Sequence, residues 1–553
     1  MFFRFLSFIA CFVVCLSCNQ KSILSYNKSV SKSNSLPLEG DLLKWHHKDI
    51  ENDSIAGISL YKAYDYLKSK EAENIIVAIL DTELNIDNSA IKNQIWINHN
   101  EIPNNGIDDD HNGYIDDIHG WNFLNTSIDQ GLPSARYGFS RYVQAYEKQF
   151  LGKNISEIHK DSLQQFKQFE KAQTYLKNSI EESQSELSRY KNLLNKLIAT
   201  NKVMDSVFSR REVTKKKLDS LLQIITDTVI IKHIDFKKLL LKYEINEDYY
   251  HYKIDELNTE LAEQLNINHV GRLSNDNIND ITDIQYGNNN VKGIGQINHA
   301  LRISSLIAAN RIDSDSVQGI LNNVKIMPLN IMSYNGVHDK DIALAIRYAV
   351  DNGAKIINMS FSISFPVHEE WLKESMLYAM EHDVLLITSS GNYGENLDYE
   401  LDFLNDSSAD TKEEFANNFM KVGASSYKVD STLIANFSNY GKEEVDIFAP
   451  GNDLYTIHGN YIEKDLGTSL SSAITTGIAA LIRSHYPNLT AAEVKQIIMK
   501  SGVSYDIMVN KPSTSKEKEL VPFSSLSKSG KIVNAYNALL MAEEVSKKKK
   551  KRK

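Results

Sequence analysis

The sequence predicts an α/β protein: a parallel sheet flanked by helices, with a long α-helical, coiled-coil-like insertion. Three observations carry this. Short, continuously apolar runs recur along the chain, helical patterns separate several of them, and one long stretch lacks both glycine and proline. Apolar runs of four to eight residues suit strands buried on both faces, as parallel strands are. Strands that alternate with helices imply a sheet covered by helices.

The apolar runs are IIVAIL at 75–80, VKIMPLNI at 324–331, KIINMSF at 355–361, VLLITSS at 384–390 and VDIFAP at 445–450. Between the second and third, DKDIALAIRYAVDNGA places Ile342, Ala345, Ile346, Ala349 and Val350 on one helical face, with Gly353 as the stop. In such sheets, ligands bind outside the carboxyl ends of the strands.

The insertion is read from the absence of Gly and Pro between Gly152 and Gly271. Within it Leu176, Ile180, Leu187, Tyr190, Leu194, Leu197, Met204 and Phe208 follow alternating spacings of about three and four. That is a heptad seam interrupted by Ser183 and Asn201. It predicts a helical hairpin or coiled coil that serves as a self-packing arm or as a surface for a protein partner or self-association.

The chain has 553 residues, 42% of them hydrophobic and 24% charged, which is room for a large core and two or three structural units. A net charge of -10 argues against nucleic acid as a main partner. The run KKKKKRK at 547–553 is a local exception, expected to be a solvated, disordered tail.

The N-terminus has Arg4 followed by an apolar run at 5–16, the pattern of a secretory signal. It ends in Leu-Ser-Cys and resembles a bacterial lipoprotein signal, cleaved before a lipid-bearing Cys18, although Cys15 stands where that pattern usually has Leu. The implied location is the cell envelope, with a lipid anchor in the membrane. Cys11, Cys15 and Cys18 are all the cysteines, so the mature chain is expected to have neither a disulfide nor a thiol nucleophile.

Four residues bear chemistry. Asp81 directly follows IIVAIL, at the functional edge of the sheet. His299 opens the helical run HALRISSLIAA, which Asn298 is placed to cap. Asn392 lies in the turn SGNYG after a strand, and Ser469 lies at the start of the helix in GTSLSSAITTG. Taken singly, each has a structural reading as a cap or turn residue. Asp, His and Ser in that order across a parallel α/β sheet is one of the known orders of the hydrolytic triad.

The motifs VAILDTE, HALRISSLIAA, SSGNYG and GTSLSSA, with VKIMPLNI, AIRYAVDNGAKIINMSFS, VGASS, FSNYGKEEVDIFAPG and VNAYNALL between or after them, resemble a subtilisin-like serine peptidase. The likeness covers about 60–125 and 290–542 and omits the insertion. With a signal at 1–18, a tether or short pro-segment at 19–50 and a basic tail at 546–553, it implies catalytic-domain parts at 51–136 and 290–545 around an insert and linker at 137–289.

The resemblance implies that Ser469 attacks the scissile carbonyl of a polypeptide, His299 moves the proton and Asp81 orients the imidazole. Asn392 and the backbone N–H of Ser469 would hold the oxyanion. Ser360, Phe361, Ser362 and Gly391 would line the substrate cleft. Several flanks depart from the family pattern. Glu83 stands at an expected Gly, Ala300, Leu301 and Arg302 replace Gly-Thr-His, and Ala473 replaces a Pro. An Arg302–Glu83 pair is one way to neutralise the extra acid. Two readings therefore stand, a working peptidase and a subtilase-fold scaffold that uses its insertion.

The stretch NNGIDDDHNGYIDDIHGWNF sets Asp108, Asp110, Asn112, Gly113, Tyr114 and Asp116 at calcium-loop spacing. The expected ligands are Asp108, Asp110, Asn112, the Tyr114 carbonyl and Asp116. His119 holds the twelfth position, where a closing Glu is usual, and Asp117 is the nearby substitute. Subtilases commonly bind calcium for stability, so the resemblance agrees.

Overall fold

The computed structural model describes residues 42–125, 135–208, 213–271, 274, 276–292, 298–311, 316–332, 336–400, 402, 404–407, 413–513, 515 and 518–551. Cys18 and the expected signal lie outside them. Strands β1 (Ile75–Asp81), β2 (Trp121–Asn122), β3 (Val324–Asn330), β4 (Ile356–Met359), β5 (Leu385–Ser389), β6 (Phe419–Ser425) and β7 (Ile447–Pro450) form one sheet in the order β2-β3-β1-β4-β5-β6-β7. Every pairing in it is parallel. Two hairpins complete the strands: β8 (Leu454–His458) with β9 (Tyr461–Asp465), and β10 (Met508–Asn510) with β11 (Leu520–Pro522).

Strand β1 shows why the continuous apolar pattern is needed. Val77 and Ile79 enter one core and Ala78 and Leu80 the other, because successive side chains leave opposite faces. The helices, numbered in chain order, are α1 (Leu60–Leu67), α2 (Gly138–Phe150), α3 (Leu163–Phe208), α4 (Lys215–Leu222), α5 (Thr228–Lys242), α6 (Glu247–Thr259), α7 (His299–Ala308), α8 (Asp339–Asp351), α9 (Glu369–Glu381), α10 (Thr468–His485), α11 (Ala491–Ser501) and α12 (Ala535–Lys550). Helices α1, α7, α10, α11 and α12 cover one face of the sheet, and α8 and α9 cover the other. Helix α10 is buried along almost its whole length, which explains why its sequence is apolar and small all round.

The insertion is helical, as its composition predicts. Helix α3 alone has 46 residues. Its seam is filled by the same chain: Leu194 and Leu197 pack with Phe236, Leu240 and Tyr250, and Met204 packs with Leu218 and Ile234. The polar interruptions are matched as well. Ser183 Oγ donates to Glu260 Oε2 at 3.0 Å, and Asn201 Nδ2 donates to Glu247 Oε1 at 3.0 Å. At the base, Tyr142, Phe150, Phe166 and Phe169 share a core with Phe365, which follows β4.

The basic run differs from the expected disordered tail. It continues α12 through Lys550. Glu543–Lys547 and Glu544–Lys548 ion pairs bridge successive turns at 2.6 and 2.5 Å. Cations at a helix C-terminus also complement its dipole. Among the described residues no helix is long and apolar enough to cross a membrane.

Candidate active site

Strand β1 ends at Asp81, whose side chain is fully buried. His299 Nδ1 lies 2.7 and 2.8 Å from its two carboxylate oxygens. Oδ1 also accepts the Thr82 N–H at 2.7 Å. The imidazole is thus held from the strand end, and α7 is positioned by the same neighbour. Thr82 Oγ1 accepts the Ala300 N–H at 3.1 Å. The expected cap, Asn298, makes no side-chain cap bond; a threonine from across the sheet edge does that work.

Ser469 is the second residue of α10, after Thr468, and Gly467 is the N-cap. The capping reading of Ser469 is therefore wrong. Its hydroxyl donates to the Ser360 carbonyl at 3.1 Å and accepts no helix N–H. Gly467 has φ +148, a conformation that disfavours a side chain, and it turns the chain from β9 into α10. The open N–H at this helix start is met by Asn392, whose Oδ1 accepts both the Thr468 N–H and the Thr468 hydroxyl at 2.9 Å. The oxygen being so occupied, the Nδ2 end of the amide is the end left to act as a donor. Gly391 N–H donates to Thr468 Oγ1 at 3.1 Å, which locks the same corner again.

The expected cleft residues divide. Ser360, Phe361 and Gly391 are buried, and Ser362 is exposed. The Ser360 hydroxyl faces inward to the Ser469 carbonyl and the Ser472 hydroxyl, at 3.2 and 2.9 Å. Its carbonyl is the group that meets the Ser469 hydroxyl.

The altered flanks fall mostly in packing. Ala300, Leu301 and Ala473 are at most 1% exposed and belong to the core beneath α7 and α10. Arg302 does not reach Glu83. Its Nη1 pairs with Asp465 at 3.1 and 3.2 Å, because that face of α7 lies against the β8–β9 hairpin. Burial opposes the charge of Asp465, but hydrogen bonds from His458 and Thr456 and the Arg302 guanidinium hold it well below the usual carboxylate range. Glu83 is buried at 2% exposure.

The acidic loop is built differently from the expected ligand set. Gly113 takes φ +96 at the sharp turn. Asp108 spends both oxygens on the Asn112 and Gly113 N–H groups, and Asp116 accepts the Asn105 and Gly106 N–H groups. Asn112 Nδ2 donates to Asp117 and Tyr114 is buried against Trp121, Phe123 and Tyr348. The oxygens that converge belong to Glu101, Asp110 and Asp117, all within 4.8 Å of one another. Burial, added to by neighbouring carboxylates, pushes the Glu101 and Asp117 carboxyls up. An all-oxygen, mutually repelling set of this kind fits a hard divalent cation. Glu101 lies outside the loop motif, so loop spacing alone does not find it.

This arrangement, a buried carboxylate on an imidazole at the carboxyl edge of a parallel sheet with a serine at the start of a central helix, defines the class of subtilisin-like folds. A family model described as the subtilase family matches residues 72–524, and the chain belongs to that family. It is 32% identical over 204 residues to a thermophilic serine proteinase of Bacillus sp. (strain AK1), covering 36% of this chain and 46% of that protein. It is 32% identical over 207 residues to a cell wall-associated protease of Bacillus subtilis (strain 168), covering 37% and 21%. It is 29% identical over 206 residues to subtilisin DY of Bacillus licheniformis, covering 36% and 67%. The matched part spans less than half the length of the first two relatives.

Proposed function

We propose that this chain is a serine endopeptidase that cleaves polypeptides with Ser469 as nucleophile. The observation that carries the reading is the placement of His299 Nδ1 against both oxygens of Asp81. A buried carboxylate there fixes the tautomer in which Nε2 is the free base, and it stabilises the imidazolium formed when the Ser469 proton is taken. The proton then passes from Nε2 to the leaving amine. Asn392 Nδ2 and the Ser469 N–H stabilise the oxyanion, where preorganised donors act without reorganisation.

An extended peptide adds beside the backbone of 360–362, so that main-chain hydrogen bonds hold it across the nucleophile. In this structure the Ser469 hydroxyl is given to Ser360 O. Catalytic hydrogen bonds tighten commonly only once substrate is bound.

One observation favours the scaffold reading: Ser469 donates to a carbonyl and not to His299. Against it, Ala300, Leu301 and Ala473 are accommodated in the core and Arg302 is paired away from the triad. A fluorophosphonate separates the two. Covalent labelling at Ser469 that is lost in His299→Ala and Asp81→Asn supports the peptidase, since an unassisted serine hydroxyl is a weak nucleophile. Absence of labelling in the wild type supports the scaffold.

The reading has two further parts. The N-terminal signal and Cys18 support export and a lipid anchor on the cell envelope. Glu101, Asp110 and Asp117 would hold calcium, which would supply structural charge neutralisation.

A further inference from the structure

We propose that the helical insertion closes the far end of the substrate cleft, and that Gln168 sets how many residues of a bound chain can pair with the enzyme. The proposal rests on the reading that substrate adds along 360–364. This segment is extended: Phe361, Ile363 and Phe365 are buried, while Ser362 and Ser364 are exposed. Its backbone groups alternate in direction as a strand requires. On the inner side, the Phe361 carbonyl accepts from Thr388 Oγ1 at 3.0 Å, and the Ile363 N–H donates to Asp402 Oδ1 at 3.3 Å.

On the outer side, the Ser360 carbonyl accepts from the nucleophile at 3.1 Å. Next along that side, Ser362 has neither N–H nor carbonyl partnered among the described residues, and the Ser364 N–H is likewise open. The Ser364 carbonyl is not open. Gln168, from helix α3 of the insertion, donates its Nε2 to it at 2.7 Å. Gln168 is itself 5% exposed.

The open edge is therefore bounded at both ends, by Ser469 and by Gln168. Alternate residues of an added strand meet alternate residues of its partner. Counting back from the scissile bond, the first substrate residue pairs at Ser360, the third at Ser362 and the fifth at Ser364. The fifth can accept from the Ser364 N–H, but its own N–H finds the carbonyl already taken.

The insertion is braced to hold this position. Phe365 packs on Phe139, Tyr142 and Tyr175 at ring distances of 6.2, 6.1 and 5.6 Å. Tyr146 Oη donates to the Val367 carbonyl at 2.8 Å, and Lys171 pairs with Glu400 at 3.0 Å.

The test is peptide binding by the full-length Ser469→Ala protein, read by fluorescence anisotropy, with peptides carrying two to eight residues before the scissile position. With Gln168 present, affinity rises with length through the one bond the fifth residue can still make, from the Ser364 N–H, and then stops rising. In Gln168→Ala the freed carbonyl takes the N–H of that residue, so affinity for longer peptides rises roughly two- to tenfold. N-methylation of the fifth residue removes that gain in Gln168→Ala and changes nothing with Gln168 present.

Gln168→Leu keeps the bulk without the donor and gives the same test if the alanine variant misfolds. A length dependence that ignores both substitutions, or a gain that survives N-methylation, overturns the proposal. Failure of the peptidase reading looks different: no labelling of Ser469 in the wild type and no gain in binding over the first three residues, which would overturn both.

Discussion

Asn392 Oδ1 accepts the backbone N–H and the hydroxyl of Thr468, each at 2.9 Å. One side chain thereby caps α10 with its oxygen, and in the proposed mechanism its nitrogen serves the oxyanion. The two duties separate by substitution. Asn392→Ala should lower turnover roughly a hundred- to a thousandfold, the loss measured for such a donor in another subtilase. It should also cost about 1 kcal/mol of stability as the cap is lost. Asn392→Asp keeps the acceptor, so the melting temperature should hold while turnover still falls. Full turnover in the aspartate variant would refute the oxyanion role.

Arg302 and Asp465 should be energetically coupled, and Arg302 and Glu83 should not. The geometry is a 3.1 Å pair with a side chain that is 9% exposed on the acid and 27% exposed on the arginine. A double-mutant cycle with Arg302→Ala and Asp465→Ala should give an interaction of at least about 0.5 kcal/mol by urea unfolding. The cycle with Glu83→Ala should be additive. Because the Asp465 carboxyl is held low, this contribution is present above the ordinary carboxylate range and is lost only as pH falls through the depressed folded value.

Calcium should raise the melting temperature through Glu101, Asp110 and Asp117. At a hundred times its dissociation constant it should add about 2.7 kcal/mol. Asp110→Asn and Asp117→Asn should abolish the difference between calcium and chelator. Asp116→Asn should retain it, since that carboxylate is turned onto the Asn105 and Gly106 N–H groups. Equal melting with calcium and with chelator in the wild type would remove the cation from the account.

The chain should lose stability in acid through His46. Both ring nitrogens lack a hydrogen-bond partner among the described residues. Burial, with Lys44 nearby, lowers its pKa from 6.5 to about 3. The unfolded chain then binds a proton that the folded chain refuses, so the stabilisation is complete above pH 6.5 and shrinks as pH falls toward 3. Each pH unit in that window should remove up to about 1.4 kcal/mol. His46→Phe should reduce the slope in melts recorded from pH 7 to 4, leaving the part due to the neighbouring His47, whose pKa burial also lowers; an unchanged slope would exclude His46 as a source.

How much was legible depends on whether the signal was local. Strands β1, β3, β4, β5 and β7 stand in the mostly apolar runs read from the sequence. Strand β6, FMKVGAS, lies outside them; its Lys421 is buried and paired with Asp402 at 2.9 Å. The positions of the four candidate residues were legible because each lies by a strand or helix end: Asp81 ends β1, His299 begins α7, Ser469 is the second residue of α10 and Asn392 lies in the turn after β5. The partner of Arg302 was not, since it depends on the hairpin that packs on α7. Nor was Glu101, which reaches the acidic cluster from the preceding turn, or Thr82, which caps a helix more than two hundred residues away in sequence (|i−j| = 218).

The two ends of the insertion are tied together. Tyr137 N–H donates to the Gln264 carbonyl at 3.2 Å, Tyr137 Oη donates to Glu260 at 2.8 Å, and Arg136 donates to the Ile267 carbonyl. Were this stretch an open coil, bringing its ends together to let β2 and β3 pair would cost about 4 kcal/mol of chain entropy. Folded on its own hairpin cores, it presents the sheet with ends that already meet. To the crossover between β2 and β3 it counts as a short connection, so the length of the arm can grow or shrink at its tip without changing the ease with which the sheet closes.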